Sequence, residues 1–263
     1  MITVSSLADP GRAPRTRAGH SLAAAVDVEW TKNYKIKNGN RPFCCSVVYL
    51  DLPDGGPADL NAPVFEYVSV YLEPGEPASA LAARADTLIR TVLRNARIVT
   101  GHQVCADLAL LASAAETAGT TARSVAEARA AWHQRRDPGQ PRQVIDTRYD
   151  AGHLLHGASR RLVDVATELG LDVTQPELRG TSMTALHRAW LDTGNVAARE
   201  RISVLNLRHS LSTALIALHA AGRGGWTGVL NVNQLIAGRA AGAWQWLDSP
   251  AFRSLLKEPH ARP

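Results

Sequence analysis

Apolar runs separated by turn residues dominate the N-terminal half of the chain. The first is Leu22–Trp30, the second Phe43–Leu50 and the third Val64–Glu73. Asn38-Gly39 between the first two is a strong hairpin signal. A stretch rich in Pro, Gly and Asp, Asp51–Ala62, separates the second from the third. The β-branched and aromatic content of these runs predicts an antiparallel meander of three strands. Ser79–Ala96 then has helical composition, with Ser79 as N-cap and Leu81, Leu88, Ile89 and Val92 near helical spacing. Arg97–Thr100 reads as a fourth strand running into a helix that begins within Gly101–Leu111, and Ala114–Arg136 is helical with an exposed face. Gln143–Thr147 reads as a fifth strand. Tyr149–Leu155 and Arg160–Leu169 read as short helices, the second stopping at Gly170. Ser182–Asp192 is a further helix, and Asn195 caps a long one running to Ala221. On that helix Val204, Leu207, Leu211, Leu215 and Leu218 form one stripe, and Ile202, Leu205, His209, Thr213 and Ile216 a second. Two such stripes predict burial over a wide arc. The whole pattern predicts an α/β fold: a mixed sheet of an antiparallel three-stranded meander plus parallel strands, with helices on both faces.

Length and composition narrow this only a little. With 263 residues, 45% hydrophobic and 20% charged, the chain has an ordinary globular composition. No apolar run approaches the roughly 18 residues needed to span a membrane. Residues 1–20 carry Arg12, Arg15 and Arg17 among Pro and Gly and lack the apolar core of a secretory signal, which predicts a flexible leader. Residues 21–221 form the predicted domain, and 222–263, with Trp226, Trp244 and Trp246, a C-terminal extension packed on it. Three cysteines, two of them adjacent, make no disulfide framework and fit a cytoplasmic protein. Cys44 and Cys45 point to opposite faces of a strand, which argues against their sharing a zinc ion with Cys105. The net charge of +5 permits a polyanionic partner. Lys32, Tyr34, Lys35, Lys37 and Arg41 share the first hairpin connection. They suit either a grip on a phosphate backbone with a stacked base, or a solvated turn.

The chemistry-bearing feature is a pair of acids inside the first apolar run. Strand side chains alternate, so Asp27 and Glu29, separated by Val28, share one face. Two carboxylates that close are costly unless something positive lies between them, usually a metal ion. Asp107 lies just after the fourth strand, where α/β proteins place functional groups. If the first and fourth strands are neighbours, three carboxylates meet, and an oxygen-rich cluster of this kind suits magnesium or manganese.

Val26-Asp-Val-Glu-Trp-Thr31 resembles the first motif of the DEDD 3′–5′ exonucleases of the ribonuclease H-like superfamily, with the Trp found in the ribonuclease D and Werner-type branch. Val99-Thr-Gly-His-Gln-Val-Cys-Ala-Asp-Leu-Ala-Leu-Leu111 resembles the second motif, with Gln103 in place of the usual Asn. Val144-Ile-Asp-Thr147 and the helix over Leu162–Leu171 resemble the elements that follow. The resemblance covers residues 22–221. It implies a ribonuclease H-like fold, a two-ion Mg2+ or Mn2+ site on Asp27, Glu29 and Asp107, and 3′–5′ exonuclease action on single-stranded nucleic acid ends. His102 is then structural, and Asp146 caps the next helix.

The third motif departs from this pattern. Thr213-Ala214 places the expected Asp at His209, and the expected His or Tyr base at Val204 or Leu205. Glu200, nine residues before His209 at about 100° per residue, falls on the opposite side of the helix. His209 is therefore read as an altered ligand or base, or as a hydrogen-bonded core histidine, with Asp146 or the tail as an alternative source of acid. The corresponding alternative function is an inactive exonuclease fold that binds nucleic acid or a protein.

Overall fold

The computed structural model describes residues 1–31 and 40–256. In chain order the elements are β1 (Ile2–Ser5), β2 (His20–Thr31), β3 (Arg41–Pro53), β4 (Ala58–Asp59), β5 (Phe65–Tyr71), α1 (Ala78–Asn95), β6 (Ala96–Gly101), α2 (Val104–Thr117), α3 (Arg123–His133), β7 (Gln143–Asp146), α4 (Thr147–Asp150), α5 (Leu162–Glu168), β8 (Leu171–Asp172), α6 (Met183–Thr193), α7 (Val196–Ala220), β9 (Gly224–Gly225), β10 (Leu230–Asn231), α8 (Val232–Arg239) and α9 (Pro250–Arg253). The fold is α/β, with a mixed six-stranded sheet ordered β1-β5-β3-β2-β6-β7. The meander β2-β3-β5 is antiparallel. The first and fourth predicted strands, β2 and β6, are parallel neighbours, and β7 adds in parallel beyond them.

The alternation of β2 divides the core. Leu22, Ala24, Val26 and Val28 pack in a cluster with α1, α2 and α3. Ala23 and Ala25 pack on the other side with α5, α7 and α8. Asp27 and Glu29 continue that second set and so face α7. A break in the register with β3 between Glu29 and Trp30 ends the regular pairing beside the acids, as bulges next to sites commonly do.

Residues 1–20 are not wholly a flexible leader: β1 pairs antiparallel with β5 along Ile2–Ser5 and forms the edge of the sheet. The terminal ammonium of Met1 pairs with Glu73 and Glu76, and Ser5 and Ser6 bond the Tyr67 carbonyl. A four-residue strand stabilised only by such distant partners leaves little periodic trace. The N-cap of α1 is Pro77 rather than Ser79, with no side-chain cap. Asn195 does cap α7, accepting from the Ala198 N–H. That helix is buried almost all round from Ile202 to Leu218.

α7 is locked on its far side by a buried ion pair. Arg208 donates to both carboxylate oxygens of Glu177 at 2.8 and 2.7 Å, and both side chains are fully buried. Arg208 Nε donates to Asn233 Oδ1 on α8, and Trp246 Nε1 to Glu177 Oε1. Glu200 accepts from the Trp246 backbone N–H. Residues after 222 are thus bound to α7 by hydrogen bonds, and Trp244 and Phe252 sit in its core. Removing one partner of such a pair leaves a buried charge with no counter-ion. Glu177→Ala is expected to lose about 3–5 kcal/mol of stability, read from the midpoint of urea unfolding. A variant as stable as the parent would show that the pair does not hold α7.

Candidate metal centre

Each of the four candidate residues is delivered by a regular element. Asp27 and Glu29 stand at the end of β2. Asp107 lies in the first turn of α2, which β6 feeds through Gly101-His102-Gln103. The turn is tight: a Cβ on Gly101 would lie 2.4 Å from Val104 Cβ and 3.1 Å from the Val26 carbonyl, so only glycine lets α2 come this close to β2. Gln103 adopts the left-handed conformation, φ 59°, and its N–H donates to Asp146 Oδ1 at 2.8 Å. Asp146 also accepts from Trp132 Nε1 and caps α4 through the Arg148 N–H. All of this holds the turn, so Asp146 is not the missing acid. His102, read as a structural residue, places its Nδ1 2.9 Å from Thr147 Oγ1 on α4.

α7 supplies the polar groups that meet the acids. His209 Nδ1 lies 2.9 Å from Glu29 Oε1 and 3.7 Å from Asp27 Oδ2. Asn206, one turn earlier, donates from Nδ2 to Asp27 Oδ2 at 2.6 Å. Its own Oδ1 is turned toward the Cys44 thiol, 3.5 Å away. Asp107 accepts from the Val28 N–H, which ties α2 to the strand between the two acids. Asp27, Glu29 and Asp107 are all buried, while the His209 side chain keeps 20% of its surface.

Burial sets the electrostatics. The Asp107 carboxyl is pushed well above the usual range, first by burial and then by the charges of Asp27 and Glu29. Burial also raises Glu29, against the hydrogen bond from His209. For His209, burial disfavours the charge, but the carboxylates of Asp27 and Glu29 overcome it and raise the imidazole to about 10. An imidazole raised in this way carries its positive charge beside both acids at neutral pH.

The donor set also fits a divalent ion. Adjacent ligands of an octahedral ion with bonds of about 2.1 Å sit about 3.0 Å apart. His209 Nδ1 meets Glu29 Oε1 at 2.9 Å and Asp27 Oδ2 at 3.7 Å, and one ligand atom from each of the three lies within 4.8 Å of the others. Asp107, expected as a third ligand, is not part of that trio; it is near enough only for the charges of Asp27 and Glu29 to act on its carboxyl.

The other sequence candidates do not join the site. Val204 and Leu205, where a base was expected, are fully buried apolar side chains. Glu200 bonds Trp246, away from the acids. Lys32, Tyr34, Lys35 and Lys37 lie outside the described residues, and Arg41 is an exposed residue at the start of β3. Sequence reasoning missed Asn206, Cys44 and Gln175, whose amide lies 2.9 Å from His209 Nε2. Asn206 had a signal, a polar residue three before His209 on a buried helix. Ser46 on β3 and Ser210 on α7, which bond each other at 2.7 Å, likewise stand as polar residues within apolar runs. Gln175 sits in a loop and had none. Neither protein-family models nor curated proteins match this chain.

The site predicts a pH dependence with a definite sign. His209 is raised from 6.5 to about 10, so the folded state holds a proton that the unfolded chain has released. Its contribution is full below about 6.5 and lost as the pH rises to about 10. Urea unfolding is expected to show stability falling across that window, with a shallower fall in His209→Gln. An equal fall in both proteins would place the effect elsewhere.

Proposed function

We propose that this chain is a divalent-metal-dependent phosphodiesterase of the 3′–5′ exonuclease type, with a ribonuclease H-like fold, acting on nucleic acid. What supports the reading best is that Asp27 and Glu29 at the end of β2 meet His209 in one group able to hold an ion, with Asp107 near enough for their charges to raise its carboxyl. The sheet order, with its antiparallel meander and parallel β6 and β7, is compatible with it. The ion would be Mg2+ or Mn2+, held by Asp27 and Glu29 with His209 beside them and Asp107 nearby. Such an ion supplies Lewis-acid charge at a phosphoryl group and lowers the pKa of a bound water.

The chain's own residues do the positioning. Asn206 fixes Asp27 by its amide, the Val28 N–H fixes Asp107, and Gln175 abuts the outer nitrogen of His209. No side chain stands at positions 204 or 205 to take a proton from the attacking water. General base catalysis typically contributes about 10²–10⁴-fold, so turnover is expected to be slow by that order. A single-stranded 3′ end is the substrate the resemblance implies.

A second reading, an inactive fold that binds nucleic acid or a protein, is favoured by one observation. His209 already supplies positive charge to both acids, so the cluster is satisfied without an ion. The two readings part in one assay. With Mn2+ or Mg2+, the purified chain is expected to shorten end-labelled single-stranded DNA or RNA from its 3′ end, and Asp27→Ala to abolish this. Retained binding with no cleavage under either ion would leave the second reading.

A further inference from the structure

We infer that His209 makes this a mixed nitrogen–oxygen centre that selects a transition-series ion, Mn2+ rather than Mg2+, an inference that rests on the metal-dependent reading above. Mg2+ takes oxygen ligands almost exclusively, whereas imidazole nitrogen is a good ligand for the transition ions. Two groups on α7 face the acid pair, Asn206 and His209. Asn206 presents Nδ2 to Asp27, and an amide N–H is no ligand. Its oxygen is turned to Cys44. His209 alone offers a lone pair there.

The ring is also held in place to offer it. Nδ1 points at Glu29 Oε1 and Asp27 Oδ2, while Gln175 lies 2.9 Å from Nε2. The Gln175 atom there is the amide nitrogen, which cannot accept from Nε2–H; the amide turned over about its last bond, as the hydrogen-bond network assigns it, presents its carbonyl oxygen instead. That outer hydrogen bond commonly fixes the tautomer of a metal-binding histidine with its other nitrogen free to ligate. Leu205 and Thr213, one turn to either side on the same stripe, are fully buried and leave the helix no freedom to rotate the ring away. An ion seated between Asp27 and Glu29 on the α7 side therefore meets nitrogen. Only an ion on the opposite side, toward Asp107, would find oxygen alone.

The test uses the full chain, stripped with chelator and titrated at one pH with Mn2+ and, separately, with Mg2+. Mn2+ is expected to bind at least about tenfold more tightly. The pulsed electron paramagnetic resonance of the bound Mn2+ is expected to show nitrogen-14 coupling from a directly bound imidazole. His209→Asp is expected to lose the coupling and narrow the preference by gaining Mg2+ affinity. The spectrum of the unaltered protein decides by itself, even if that variant misfolds. Equal affinities without nitrogen coupling would overturn the inference and place the ion on the Asp107 side, with the metal-dependent reading intact. Binding of neither ion would overturn both.

Discussion

Two carboxylates buried on one face of an apolar strand create a charge problem that the rest of the molecule answers. The ligand atoms of Asp27, Glu29 and His209 lie within 4.8 Å of one another. At such a distance two like charges repel by about 3–4 kcal/mol at an effective dielectric near 20. A domain of ordinary stability has only about 5–15 kcal/mol in total. The acids persist because α7 brings an imidazolium and an amide against them, and because the Val28 N–H supports the third acid. The apolar core alone would expel such a cluster.

That answer depends on where α7 lies, which explains the second group of buried polar residues. His209 faces the acids, and Arg208, its neighbour in sequence, points into the other side of the helix to meet Glu177. Asn233 and Trp246 complete the cage. Glu177 is two residues after Gln175, so one short loop touches both sides of the centre, once through His209 and once through Arg208. Residues after 222 therefore bear on the site without contacting the acids. They fix the rotation of the helix that does.

Much of this was legible in the sequence because it is periodic. The face shared by Asp27 and Glu29 follows from strand alternation, whereas His209 was picked out only by the resemblance that placed an acid at its position. Asp107 follows from its place after a strand. The neighbourhood of β2 and β6 was a condition that the order of elements left open, and the structure meets it with a parallel pairing. What was not legible is held by pairing between distant residues. β1 is a strand only because β5 and the two acids at Glu73 and Glu76 receive it. The Glu177–Arg208 pair joins a loop to a helix with no spacing to announce it. Asn206 falls between the two stripes that the pattern of apolar positions defines, and its polarity was the only trace.

On the proposed reading, a histidine at position 209 in place of an aspartate changes the cradle rather than merely weakening it. An aspartate there would add a negative charge and leave the acids dependent on an ion from outside. Histidine carries its own positive charge, as a proton on Nδ1, or gives it up and presents nitrogen to an ion at the same place. Proton and metal therefore compete for one position, and the same side chain serves the empty and the filled site. An all-carboxylate centre has no internal occupant of this kind, so its acids are strained whenever the ion leaves. Here the resting fold is satisfied, and affinity for an ion must exceed that of the acid pair for the imidazolium. Under the proposed reading, cleavage or binding alone follows from which positive charge fills the gap between Asp27 and Glu29.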